Sequence, residues 1–112
     1  MPKPASRAFS RYSRDAAELL GQLIRRARLE HKMTAAQLAE RAGVSRGLVQ
    51  RIEQGDPGCA IGVAFEVAAI LGVRLFDADP SRLTTMLGDS KATLALLPRA
   101  ARVPKTEVTD DF

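Results

Sequence analysis

The chain of 112 residues is 46% apolar, only 4% aromatic and without tryptophan, so it can build one modest core from aliphatic side chains. Its net charge of +4 is uneven: residues 1–32 hold eight Lys or Arg against three Asp or Glu, and the remainder sums to −1. One histidine (His31) and one cysteine (Cys59) exclude a His/Cys metal site and an internal disulfide, and no apolar stretch approaches the ~18 residues of a membrane span.

The N-terminus lacks the apolar core of a signal peptide, and no Gly-rich phosphate loop of the required form is present. The expectation is a cytoplasmic, non-enzymatic protein without cofactor or metal. A basic patch on a small helical domain fits a polyanion, above all nucleic acid, although charge alone fits a solvated surface equally well.

In chain order, residues 1–12 ("MPKPASRAFSRY") carry two prolines and no apolar period, and read as a flexible basic arm. Ser13 or Asp15 is the expected cap of a first helix running to about His31, with Leu20, Leu23, Ile24 and Ala27 on one face. Thr34, followed three residues later by Gln37, forms the capping-box signature of a second helix with Leu38, Ala39 and Ala42 inward, and Gly43 ends it. Ser45 caps a third helix with Leu48, Val49 and Ile52 inward, and Gly55 stops it. "GDPG" (55–58) is a turn, and Cys59 after it reads as a small packing residue.

A fourth helix spans about Ile61 to Leu71, closed by Gly72, with Ile61, Ala64, Val67, Ala68 and Leu71 toward the core. Its other sides carry Val63, Phe65, Ala69 and Ile70, so the helix is apolar nearly all round and should be buried on more than one face. Packing under C-terminal helices would satisfy this, and so would a dimer seam. Asp79 and Ser90 are expected caps of two short helices, and from about Pro98 the chain turns polar. The reading is all-α: arm 1–12, helical domain 13–76, helical extension 77–98 and flexible tail 99–112.

The second and third helices, joined by a tight turn at Gly43, form a helix-turn-helix pattern. Ala39 must be small where the helices cross, and Val44 plugs the core below the turn. The outer face of the third helix then carries Ser45, Arg46, Gly47, Gln50 and Arg51. Arginine can bond guanine O6 and N7 bidentately in the major groove. Glycine is costly within a helix, but its missing side chain allows close backbone approach.

The run "TAAQLAERAGVSRGLVQRIEQG", with "AIGVAFEVAAILGV" after it, resembles the Cro/CI-type (XRE family) helix-turn-helix regulators over about residues 17–75. The resemblance implies a lambda-repressor-like domain of about five helices, with an extra short C-terminal helix and a disordered tail. It further implies base reading by Arg46, Gly47 and Arg51 with Gln50 beside them, a phosphate or base contact at Ser45, and a partly buried ion pair between Arg28 and Glu53. Many members grip phosphate through a Gln where this chain has Ala35, so that contact falls to Gln37, Gln54 or the basic arm. A homodimer on a palindromic operator of double-stranded DNA follows, with a seam at Val63, Phe65, Ala69 and Ile70.

The tail "LALLPRAARVPKTEVTDDF" looks like those of HipB-like antitoxins, which implies a partner: a HipA-type kinase toxin held through Asp110, Asp111 and Phe112. The alternatives are a stand-alone, prophage-like regulator without a toxin, and an adaptor that has lost DNA binding.

Overall fold

The computed structural model describes residues 8–101, and its five regular elements are all helices: α1 (Arg11–Glu30), α2 (Ala35–Ala42), α3 (Arg46–Glu53), α4 (Ile61–Ile70) and α5 (Pro80–Ala95). The chain divides into two compact units between Asp77 and Ala78.

In the first unit, local chemistry sets most boundaries. The α2 capping box is complete: the Thr34 hydroxyl accepts from the Gln37 N–H (3.0 Å), and the Gln37 side-chain oxygen accepts from the Thr34 N–H (2.8 Å). Gly43 ends α2 at φ 71°, in the left-handed region where a β-carbon is unfavourable. Ser45 caps α3 by accepting from the Leu48 N–H (3.1 Å).

The start of α1 differs from the expectation. Ser10 caps the helix, accepting from the Ser13 N–H at 3.1 Å, so Arg11 and Tyr12 are helical rather than part of an arm. Ser10, Ser13 and Asp15 are all cap-forming types, and it is the Ser10 hydroxyl that reaches a free amide of the first turn. Residues 1–7 of the expected arm lie outside the described residues.

The core of this unit gathers Ile24 from α1, Leu38 and Ala39 from α2, Val49 and Ile52 from α3, and Ala64, Val67, Ala68 and Leu71 from α4 and its cap. Ile24, Leu38, Val49 and Val67 are wholly buried, each worth about 1.5–3 kcal/mol of transfer free energy. Helix α3 packs on both α1 and α2, and α2 also packs on α4. The α1–α3 crossing is close. A β-carbon at Gly21 would run into the Ile52 carbonyl oxygen, and one at Gly55 would come within 2.7 Å of the Glu18 Cα.

On α4 the expected core face holds at Ala64, Val67, Ala68 and Leu71, but Ile61 is 68% exposed. It is the first residue of the helix and precedes the buried stretch by almost a turn. Val63 and Ile70 are half-buried against the core of their own chain. Phe65 meets Phe76 edge-on, with ring centroids 6.3 Å apart, and Ala69 is exposed.

The second unit contributes α5. Asp79 caps it, accepting from the Arg82 N–H (2.8 Å), and Pro80 occupies the first turn, where no amide is needed. The expected second short helix capped at Ser90 does not form: Ser90 lies inside one continuous helix of 16 residues. Gly88, Asp89 and Ser90 each lower helix propensity by less than about 1 kcal/mol, too little to break a helix with good formers on either side. No residue of α5 is buried, and Leu87 and Leu94 are exposed.

Candidate nucleic-acid interface

Helix α3 has two sharply different sides. Val49, Ile52 and Glu53 are buried and fix its position, while Arg46, Gly47, Gln50, Arg51 and Gln54 are exposed. The exposed positions recur at i, i+4 and i+7 and so line one stripe about 12 Å long. Ser45 stands at the N-terminal end of this stripe, with its hydroxyl oxygen engaged by the Leu48 N–H. Gln54 stands at the opposite end, as the α3 C-cap. No atom lies within 4 Å of where a Gly47 β-carbon would be, so no packing within the chain requires glycine there.

Gln37 lies on α2 and is exposed. Its amide oxygen is committed to the capping box, which leaves the amide N–H group as its means of reaching a phosphate. Ala35 is half-buried against the core and carries no polar group to reach a phosphate.

The stripe is held in place by a pair beneath it. Arg28 of α1 donates to Glu53 of α3 from Nε to Oε2 (2.6 Å) and from Nη2 to Oε1 (3.0 Å), while its Nη1 donates to the Met33 carbonyl (2.9 Å). The two side chains are only 11% and 5% exposed. The hydrogen bond to Glu53 holds the Arg28 guanidinium above its ordinary pKa, against the opposing effect of burial. Every guanidinium nitrogen is thus bonded, the condition under which a buried charge is tolerated. The pair locks the end of α3 to α1 and to the loop before α2.

A second arginine contact escapes a reading of the sequence. Arg51 Nε donates to Asp56 Oδ2 (3.1 Å), and Asp56 Oδ1 accepts from the Gly58 N–H (2.8 Å). The Gly58 N–H and then Arg51 hold the Asp56 carboxyl below its usual pKa. The hydrogen bond to Asp56, followed by the nearby Cys59, holds Arg51 above its own. Burial pushes the Cys59 thiol up, in keeping with a packing residue rather than a nucleophile. Only the Asp56–Gly58 half had a signal in "GDPG": an Asp two residues before a Gly folds its side chain back onto the backbone.

Of the expected seam residues, Val63, Phe65 and Ile70 are partly covered within the chain, and Ala69 is open. Beside Phe65 lies an open apolar depression lined by Ala16, Leu19, Leu20, Leu23, Leu75 and Phe76, with Leu19 56% and Phe76 69% exposed. Asp110, Asp111 and Phe112 lie outside the described residues. Among the described residues no cluster of His, Cys, Asp or Glu can hold a metal ion, and no helix is long and apolar enough to cross a membrane.

A short, capped α2, a left-handed glycine turn and an α3 pinned on one side and open on the other form a helix-turn-helix with one exposed face. Residues 24–77, just under half of the chain, match the family model described as helix-turn-helix. This match and the all-helical architecture support an XRE-type helix-turn-helix in a lambda-repressor-like fold and a role in DNA-binding regulation of transcription. Neither the curated proteins nor the solved structures contain a match to the chain.

Proposed function

We propose that the chain is a sequence-specific repressor that binds a palindromic operator as a homodimer and acts as a HipB-like antitoxin, repressing its own operon and binding a HipA-type kinase toxin. The observation that carries the DNA reading is the α3 stripe. Arg46, Gly47, Gln50 and Arg51 face solvent from a helix whose other side is fixed by Val49, Ile52 and the Arg28–Glu53 pair. Arg46 and Arg51 read base edges, and Gly47 lets the helix backbone come close. Ser45, Gln37 and Gln54 meet phosphates along the edges of the groove.

The dimer reading rests on the surface around Ala69 and Phe65, which continues into the open apolar depression at Leu19 and Phe76. Two-fold pairing would set two α3 helices about 34 Å apart, one turn of DNA. The antitoxin reading rests on the tail sequence, which ends in two acidic residues and an aromatic one.

Footprinting on the DNA upstream of the chain's own coding region tests the repressor. Two protected half-sites one turn apart are expected; uniform protection, or none, contradicts the proposal. A HipA-type kinase encoded in the neighbouring reading frame, captured by the full chain, supports the antitoxin role. A solitary gene with the same footprint would make the protein a stand-alone regulator.

A further inference from the structure

The Arg51–Asp56 contact is built from three bonds. The Asp56 N–H donates to the Arg51 carbonyl (3.0 Å), so the backbone itself folds Asp56 back beside the end of α3. Asp56 Oδ1 is occupied by the Gly58 N–H, which fixes the plane of the carboxylate. Oδ2 then meets the Nε–H of Arg51. The arginine remains accessible, with its side chain 55% exposed.

Engagement of the Nε–H has a geometric consequence. An arginine can offer a carboxylate or a guanine either its side edge, Nε with one terminal nitrogen, or its end, the two terminal nitrogens. A carboxylate on Nε occupies the side edge and leaves the terminal nitrogen pair as the end not bonded to Asp56. It also removes rotamer freedom before DNA arrives, so less entropy is lost on binding.

We propose that Asp56 is a positioning residue for base recognition: anchored by Gly58, it holds Arg51 so that the terminal nitrogen pair is offered to O6 and N7 of one guanine in each half-site. This rests on the reading of Arg51 as a base-contacting residue. Asp56 touches no base. As an anion beside DNA it repels phosphate slightly, so it raises discrimination rather than overall affinity.

The test uses the full-length protein and an operator selected by it from a randomised DNA duplex library. Every base pair of a half-site is then substituted, and affinities are measured by fluorescence anisotropy at one fixed salt concentration. Arg51→Ala identifies the base pair at which preference depends on Arg51. Asp56→Asn retains an oxygen for the Gly58 N–H but presents an amide to Arg51. It should reduce the preference for guanine at that same base pair by about 5–20-fold. Preference at the other positions should be unchanged, and affinity for random duplex should be equal or slightly higher. Asp56→Ser, which also keeps a short oxygen acceptor, should show the same local loss, and both variants should melt within about 2 °C of the wild type.

Full preference at the Arg51-dependent base pair in both Asp56 variants overturns the inference while leaving base reading by Arg51 intact. An equal gain on operator and random DNA also overturns it, because Asp56 would then only compete for Arg51. If Arg51→Ala alters no base preference, the base-reading role of Arg51 fails, and the positioning role of Asp56 fails with it.

Discussion

Replacing Glu53 by alanine should destabilise the domain severely. The substitution removes both acceptors of the bidentate contact, at 2.6 and 3.0 Å, and leaves Arg28 with only the Met33 carbonyl. Because the Arg28 side chain is 11% exposed, water cannot fully replace the lost carboxylate. Breaking one half of a buried pair costs about 3–5 kcal/mol. A small domain has only about 5–15 kcal/mol in total, and each 1 kcal/mol moves the melting point of a domain of this size by roughly 4–8 °C. The melting point of Glu53→Ala should therefore fall by on the order of 15–30 °C, followed by circular dichroism and checked by urea titration. Arg28→Met combined with Glu53→Leu removes both charges and restores apolar volume, and should recover most of the loss. A single variant melting within about 3 °C of the wild type would show that the pair contributes nothing to the anchoring of α3.

Gly47→Ala should move stability and binding in opposite directions: the empty space around Gly47 and its helical position predict a gain of about 0.5–1 kcal/mol in thermal stability, together with weaker operator binding. An unchanged affinity would remove Gly47 from the interface. Ala69→Glu places a charge on the exposed side of α4 without disturbing the core, and sedimentation at micromolar concentration should then find monomers with much weaker operator binding. Persistence of the dimer would move the seam off α4. Removal of residues 109–112 should leave operator binding nearly unchanged and clearly weaken capture of the kinase, with Phe112→Ala reproducing much of that loss; undiminished capture would leave the tail without a role.

Much of the fold was legible because its signals are local. Thr34 with Gln37, Gly43, Ser45 and Gly55 each act within one turn of where they stand, and α2 and α3 lie where those residues place them. The start of α1 was less legible, because Ser10, Ser13 and Asp15 are chemically similar caps and the exposed first turns of the helix carry no apolar pattern that selects among them. The continuity of α5 through Gly88–Ser90 was not legible for a different reason: weak formers stop a helix only where an alternative partner for the backbone exists. The Arg28–Glu53 contact spans 25 residues and was reachable only through the resemblance to known regulators. The Arg51–Asp56 contact was not read at all, since it depends on how the "GDPG" turn returns toward α3.

The central claim, that the exposed stripe of α3 reads DNA sequence, is tested most directly at Arg46, which is exposed on the first turn of α3 and makes no ion pair among the described residues. Affinities of wild type and Arg46→Ala for the selected operator and for a scrambled duplex of equal length should be measured across a range of salt concentrations. The account predicts a loss of about tenfold or more at the operator, with little change on the scrambled duplex. Equal losses on both duplexes, with a salt dependence shallower by about one ion, would mean that Arg46 meets only phosphate and would contradict it.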